Sequence, residues 1–280
     1  MKKILIVGKS SPLSAHFCNT YSGNHKFYFT TSSVDDDSGA TVYNLLEPNF
    51  SIPAVGITHA IIFAGLSDMK YIEAHRDLSF NINYVGTVRL VGQLNKVGIK
   101  TLFISSSTVF SNYSQSNYES SPRNPSTYYG YLKMLTEDSC LKNNLNSIAR
   151  VSKCFNSSSI LSVWAEKLRA NLPIECFDDL LISPVPMATI TAMIQSWIND
   201  LNPTITHVSS SSYLSYYRLA HLLCLYLNKD TGLVHKTTVN SMPSRPLYCP
   251  QNPCLMSHDF SKFIIDTSSS VKKILSEICP

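Results

Sequence analysis

Glycine is scarce in this chain of 280 residues, with only ten in all. Any close approach of backbone to a ligand must therefore be made with few of the residues that permit it most easily. Charge is scarce too. Asp, Glu, Lys and Arg make up 15%, against ~25% in ordinary globular chains, while hydrophobic residues at 44% lie near the usual share. Disorder driven by charge excess is excluded. The 23 basic and 19 acidic residues leave a formal +4 with no run of Lys or Arg, so the clustered cations that nucleic acid or an acidic membrane surface would need are missing. Long apolar runs are also missing. The stretch from Ala60 to Leu66 is seven residues, and a membrane helix needs ~20. Met1-Lys2-Lys3 has the positive end of an export signal, but only Ile4 to Val7 are apolar before Gly8 and Lys9, too few for the apolar segment. A soluble, cytoplasmic protein is expected. The eight cysteines form no C-x-x-C pair and the eight histidines lie apart, so no metal site is expected, and the thiols should be reduced and mostly buried.

What is abundant is serine, forty-one residues, which with Asn, Thr and Tyr must supply much of the surface polarity. Length alone suggests about two domains. Lys3 to Val7 is a short apolar strand, followed by Ser11-Pro12, an N-cap with proline at the first helical position. Phe27 to Thr31 and Thr58 to Ala64 read as further strands, the latter buried on both faces by its lack of alternation. One long helical stretch is predicted from about Ile72 to Lys96, then a strand from Lys100 to Ser105, a helix from Ser126 to Leu141 and a strand from Asn146 to Val151. This rhythm predicts a Rossmann-type α/β fold, a parallel sheet doubly wound by helices, with a smaller C-terminal substrate lobe. Residues 1–153 would form the dinucleotide-binding core. Residues 154–280 would form the lobe, with segments returning to the core, a strand at Pro173 to Phe177, helices at Ile160 to Asn171, Met187 to Asp200, Leu214 to Leu227 and Ser270 to Ile278, and an extended loop around prolines 243 to 253.

Three places could carry chemistry. The first is the turn Gly8-Lys9-Ser10-Ser11-Pro12-Leu13-Ser14 at a helix N-terminus, which favours a pyrophosphate. Read as G-x-x-G-x-x-G it keeps Gly8 and replaces the others with Ser11 and Ser14, so an ordinary β-to-α turn competes with the phosphate reading. The second is the end of the second strand, Thr31-Ser32, where an acidic residue would select NAD and a basic one NADP. Asp35, Asp36 and Asp37 come later, so neither is selected, though the hydroxyls lean toward NADP. The third is Ser105-Ser106-Ser107-Thr108 at a strand end, followed by Tyr129 and Lys133 four apart on one helix face. A cation beside a phenol lowers its pKa toward neutrality and makes it a usable proton donor or acceptor, while the Ser106 hydroxyl can reach a substrate oxygen. Arg150 could be a structural ion-pair residue or a phosphate ligand. Trp164, Tyr213, Tyr216 and Tyr217 read as packing or helix-surface residues, with stacking on a base as the lesser alternative. The triplets at Asn112 and Asn156 carry no glycosylation meaning without export.

These segments resemble the extended short-chain dehydrogenase/reductases, and among their sugar-nucleotide epimerases, dehydratases and reductases most nearly the dTDP-4-dehydrorhamnose reductase branch. The resemblance runs through Lys3 to Ser14, Ala60 to Ser67 with the small pair Ala64-Gly65, the Phe80-to-Thr87 helix, Ile104 to Phe110, Tyr129 to Lys133, Ala149 to Val151, Ser183 to Val185 and Ser244-Arg245-Pro246. It implies Tyr129 as general acid/base, Lys133 as its partner and ribose contact, and Ser106 as donor to the substrate oxygen. NADP or NAD would be held by Gly8, Ser10, Ser11, Pro12, Leu13, Thr31, Ser32, Ala64, Gly65, Asn83 and Lys133. Asn83 would support the helix core or a water near Lys133. Ser107, Thr108, Lys153 and Arg245 would face a nucleotide-sugar substrate. Lys153 stands where that branch has a tryptophan, pointing to a different sugar or none. The acidic pair that dehydratases carry after the active-site Ser/Thr is replaced by Ser107-Thr108. The implied activity is NAD(P)-dependent reduction of a nucleotide-linked 4-keto sugar, in a chain that could pair as a homodimer. The alternatives are a sugar-nucleotide epimerase, or a non-catalytic NAD(P)-binding regulatory protein with a degraded glycine turn.

Overall fold

A computed structural model describes residues 1–21, 23–32, 40–47, 51, 56–156, 158–199, 204–241, 245–258 and 261–279. Twelve strands are found among them: β1 (Lys3–Val7), β2 (Lys26–Thr31), β3 (Thr41–Val42), β4 (His59–Ile62), β5 (Lys100–Ser106), β6 (Asn146–Val151), β7 (Ile174–Phe177), β8 (Leu181–Ile182), β9 (Ile205–Ser210), β10 (Leu214–Ser215), β11 (Val234–Thr237) and β12 (Ile264–Ile265). Eight form one sheet in the order β12-β9-β6-β5-β4-β1-β2-β3. The pairs β1–β2, β1–β4, β2–β3, β4–β5 and β9–β12 are all parallel. From β3 to β6 this is the Rossmann order, in which the chain leaves β1 toward one edge and β4 toward the other. β1 and β4 are buried almost throughout, as strands covered by helices on both faces must be.

The helices are α1 (Pro12–Thr20), α2 (Met69–Ala74), α3 (Arg76–Phe80), α4 (Thr87–Lys96), α5 (Tyr128–Cys140), α6 (Ile160–Arg169), α7 (Met187–Ile198), α8 (Tyr216–Tyr226) and α9 (Thr267–Ile278). The stretch expected as one helix from Ile72 to Lys96 is three, broken at His75, whose φ of −125° and ψ of 56° are not helical, and widened into a π-helical turn at Asn81–Gly86. Gly86 is required there, since a Cβ would lie 2.0 Å from the Leu45 carbonyl oxygen. The helix expected from Leu214 starts at Tyr216, because Leu214 and Ser215 pair with β8.

The chain divides into two compact units. The first comprises residues 1–109, 123–150 and 191–206, and the second 110–122, 151–190 and 207–280. The core of the first joins Leu5, Val7, Ala60, Ile62, Leu90, Leu94, Phe103 and Ile148, each of these side chains larger than alanine contributing ~1.5–3 kcal/mol by leaving water. The second packs Leu161, Trp164, Leu168, Leu219, Leu223 and Ile274 around β7 and β11, so Trp164 and Tyr216, ring centroids 6.0 Å apart, are packing residues as expected. Within the second unit, residues 110–122 are tied to the irregular 245–258 segment: Asn117 Nδ2 donates to the Asn252 and Cys254 carbonyls at 2.9 and 2.8 Å.

Candidate active site

Two turns meet where the strand order reverses. Val7 of β1 is paired with Thr30 of β2 and Ile62 of β4, so the residues just past β1 and β4 are neighbours at the carboxyl edge, where open parallel sheets bind ligands. Gly8 holds φ +94°, and a Cβ there would lie 2.7 Å from the Ala64 nitrogen and 2.8 Å from its Cα. No side chain fits. Gly65 holds φ +139°, and its absent Cβ would come within 3.0 Å of Asn83 Oδ1. Asn83, buried in the π-helical turn, spends both ends of its amide on Leu66: Oδ1 accepts from the Leu66 N–H at 2.7 Å and Nδ2 donates to the Leu66 carbonyl at 2.9 Å. Its own carbonyl accepts from Thr136 Oγ1 of α5 at 3.0 Å. Asn83 thus fixes the turn of residues 64–66 against α5.

α1 begins four residues after Gly8. Ser11 is its N-cap, extended at φ −63° and ψ 131° with no side-chain cap bond, and Pro12 occupies the first turn. Ser10 and Pro12 are exposed while Leu13 and Ser14 are buried, so Ser14 fills the helix–strand contact that a third glycine would leave. The first-turn N–H groups of such a helix are unspent and favour an anion. A dinucleotide fits this edge: two glycines keep side chains out of the turns, and a helix N-terminus stands beside them. At the end of β2, Thr31 is buried and Ser32 exposed; Asp35, Asp36 and Asp37 lie outside the described residues.

The second half of the site is built by β5 and α5. Ser106 Oγ accepts from the Thr108 N–H at 3.2 Å, closing a 3-10 turn at Ser107–Val109 and leaving the hydroxyl proton of Ser106 to donate elsewhere. α5 is capped by Thr127, whose Oγ1 accepts from the Gly130 N–H at 3.0 Å. A Cβ on Gly130 would lie 2.1 Å from the Thr108 carbonyl oxygen; the helix sits flush on the turn only because that atom is missing. This contact brings Tyr129 and Lys133 to the strand end. Lys133 Nζ donates to the Ile104 carbonyl at 2.8 Å, stands 4.5 Å from the Phe103 ring centroid and 5.7 Å from that of Tyr129. Burial pushes its pKa down from 10.5 to about 8, with Glu137 pulling the other way. At neutral pH the amine is still mostly cationic, and a cation beside a phenol stabilises the phenolate.

Two participants were not evident in the sequence. Gly130 carries no signal beyond its place between Tyr129 and Tyr131. Glu137, four residues after Lys133, is fully buried and ion-paired with Arg150, also buried, at 2.8 Å. Arg150 is therefore the structural ion-pair residue of the two roles open to it. Of the residues expected to face substrate, Ser107 and Thr108 belong to the first unit and Lys153 and Arg245 to the second. Ser107 and Thr108 are buried, and Thr108 Oγ1 has no hydrogen-bond partner. Lys153, in the second unit, is exposed, bridges to Pro184 and sits 5.4 Å over the Phe155 ring. Arg245 is exposed in the irregular segment, and the neighbouring Ser244, like Ser157 of the second glycosylation triplet, is outside the described residues. Among the described residues no three His, Cys, Asp or Glu cluster as metal ligands, the eight cysteines are free thiols, and no helix is long and apolar enough to cross a membrane.

A family model described as the RmlD substrate binding domain matches residues 1–279. The chain belongs to this family. It is accordingly an NAD(P)-dependent oxidoreductase of the extended short-chain dehydrogenase/reductase type. No curated protein matches it. Among solved structures, the dTDP-4-dehydrorhamnose reductase of Yersinia enterocolitica superposes with TM-score 0.82 at 18% identity, covering 99% of this chain and 100% of its own. The Bacillus anthracis reductase, solved in complex with NADP, gives 0.82 at 18% identity over 99% of both chains. DesIV, a dTDP-glucose 4,6-dehydratase of Streptomyces venezuelae with NAD and TYD bound, gives 0.76 at 14% identity over 98% of this chain and 96% of its own. At such identities the likeness is one of fold.

Proposed function

We propose that this RmlD-family chain reduces the C4 ketone of a nucleotide-linked sugar, with Tyr129 delivering the proton. The observation that carries the reading is the placing of Lys133: bonded to the Ile104 carbonyl, its ammonium is held beside the Tyr129 ring at the end of the strand that carries Ser106. Gly8, Ser10, Ser11, Pro12 and Leu13 would take the pyrophosphate, Ala64 and Gly65 would line the dinucleotide, Thr31 and Ser32 would meet the adenosine ribose with a lean toward NADP, and Lys133 would touch the nicotinamide ribose. When bound, the nicotinamide supplies a hydride. Ser106 donates a hydrogen bond to the ketone oxygen, keeping its own proton and holding that oxygen near Tyr129. Tyr129 gives its phenolic proton to the same oxygen as negative charge develops there. Lys133 stabilises the phenolate that remains, and solvent restores the proton.

The test is turnover with a dTDP-linked 4-keto-6-deoxyhexose. Tyr129→Phe should lower ketone-dependent NADPH oxidation by about 10²–10⁴-fold, with NADPH affinity by fluorescence titration within about twofold of the unsubstituted protein. Equal turnover in the two proteins would overturn the assignment. A second reading, cofactor binding without turnover, is favoured by Ser11 and Ser14 in the phosphate turn; it predicts NADPH binding with no ketone-dependent oxidation by the native chain.

A further inference from the structure

The most deeply buried charge near Tyr129 and Lys133 has no part in the mechanism above. Glu137 is fully enclosed, and three side chains hold its carboxylate. Arg150 Nε donates to both oxygens at 3.1 Å and Nη2 to Oε2 at 2.8 Å; Arg123 Nη1 donates to Oε2 at 3.0 Å; Ser105 Oγ donates to Oε1 at 2.5 Å. Each donor comes from a different segment: β6, the stretch before α5, and the β5 residue that precedes Ser106. A buried ion pair adds little stability over a well-packed apolar pair, so stability alone gives no reason for this arrangement. Position gives one. Glu137 lies four residues beyond Lys133 on α5, one turn along the same face.

Lys133 meets the Ile104 carbonyl and the Phe103 and Tyr129 rings. Glu137 favours its charged form and so opposes the effect of burial, as does Cys140. Cys140 is kept a neutral thiol by burial, its pKa pushed up to about 12. The elements packed on α5 are the 3-10 turn at Ser107–Val109, the π-helical turn, α2, α4 and β5, whose charged and titratable groups are Lys70, Tyr71, Glu73, Tyr84, Arg89, Lys96 and Lys100. Arg123 and Arg150 are themselves bonded to the Glu137 carboxylate, and Arg123 is also held by Asp138 at 2.6 Å.

We propose that Glu137 is a positioning residue of the reaction: its carboxylate, held by Arg150, Arg123 and Ser105, keeps Lys133 cationic and seated on the Ile104 carbonyl beside Tyr129. This rests on the reading of Tyr129 and Lys133 as the acid–base pair. The same carboxylate ties the β5 residue before Ser106 to α5, so one buried group registers the hydroxyl, phenol and amine.

The test reads Lys133 directly, without substrate. In protein labelled with ¹³C-lysine, the Cε signal of Lys133, identified by its loss in Lys133→Arg, should titrate near pH 8. Glu137→Gln keeps the shape and removes the charge; its Lys133 signal should titrate at lower pH, the proton-dissociation constant rising on the order of tenfold for a partly buried pair. Arg150→Met breaks the same ion pair but leaves the carboxylate charged, so its midpoint should stay or rise. Where Glu137→Gln does not fold, the double variant Glu137→Gln with Arg150→Met, which removes both charges, should show the lowered midpoint. An unmoved midpoint on loss of the carboxylate charge overturns the proposal, as does the same downward shift in Arg150→Met alone, which would mark simple loosening. These outcomes hold whether or not the protein reduces a sugar. Where it does, the alkaline limb of kcat should move to lower pH in Glu137→Gln with KM little changed.

Discussion

At the scale of the residue, Lys133 shows function working against stability. Its pKa falls from 10.5 free to about 8 folded because burial disfavours the ammonium. The unfolded chain therefore binds the proton more tightly, and stability rises with pH between these two values. Below pH 8 the whole cost of the buried cation is present, on the order of 3 kcal/mol; above about pH 10.5 it is gone. Lys133→Met should accordingly raise stability against urea at pH 7 by up to about 3 kcal/mol, with a gain that shrinks toward pH 10, while ketone-dependent turnover is lost. A variant less stable than the native chain at pH 7 would mean that the bond to Ile104 and the pull of Glu137 outweigh the burial. Tyr129 and Lys133 were legible because a four-residue spacing on a helix is a local property. The partners of Glu137 were not, since Ser105, Arg123 and Arg150 come together only through the adjacency of β5 and β6 in the sheet and the return of the chain before α5.

At the scale of the element, the decisive contact is α5 resting on the 3-10 turn after β5. Ala exceeds Gly in helix propensity by ~1 kcal/mol, and at Gly92 on α4, where a Cβ would meet nothing within 4 Å, Gly92→Ala should stabilise by about that amount. Gly130→Ala should do the reverse. Its Cβ would fall 2.1 Å from the Thr108 carbonyl oxygen, and the helix must move, at a cost of ~1–3 kcal/mol for overpacking. Because a shift of about 1 Å between reacting groups can cost ~10²-fold in rate, turnover should suffer more than stability. Urea unfolding and kcat/KM of the two variants decide it: stabilisation by both substitutions with full turnover would mean α5 is not seated as described. Element types were readable where apolar runs were strong, as in β1, β4 and β5. The long helix was misread partly because the π-helical turn around Asn83 answers to Leu66 and Leu45, partners remote in sequence.

At the scale of the whole molecule, the Rossmann order was legible through β6 and faded afterwards. β9 shows why: Ile-Thr-His-Val-Ser-Ser has the composition of a loop, yet five of its six residues are buried, with His207 Nδ1 2.7 Å from the Met256 carbonyl oxygen and Ser183 bonded to Ser209 and Ser210. Buried hydroxyls and imidazoles that find partners are invisible to a hydrophobic period. Residues 191–206 join the first unit although they follow much of the second in sequence. All residues proposed to hold the dinucleotide lie in the first unit, whereas Lys153 and Arg245 lie in the second. Cofactor alone should therefore act locally. At about 100 times its Kd a ligand stabilises the state that binds it by ~2.7 kcal/mol, enough to slow exchange through openings that release the ligand about 100-fold. Hydrogen exchange with saturating NADPH should slow amides in residues 8–15, 64–66, 104–109 and 129–133, and leave the α6 and α8 amides nearly unchanged until a nucleotide sugar is added. Protection by NADPH that omits residues 8–15 would show that the serine-substituted turn no longer holds the pyrophosphate, and with it the cofactor assignment would fall.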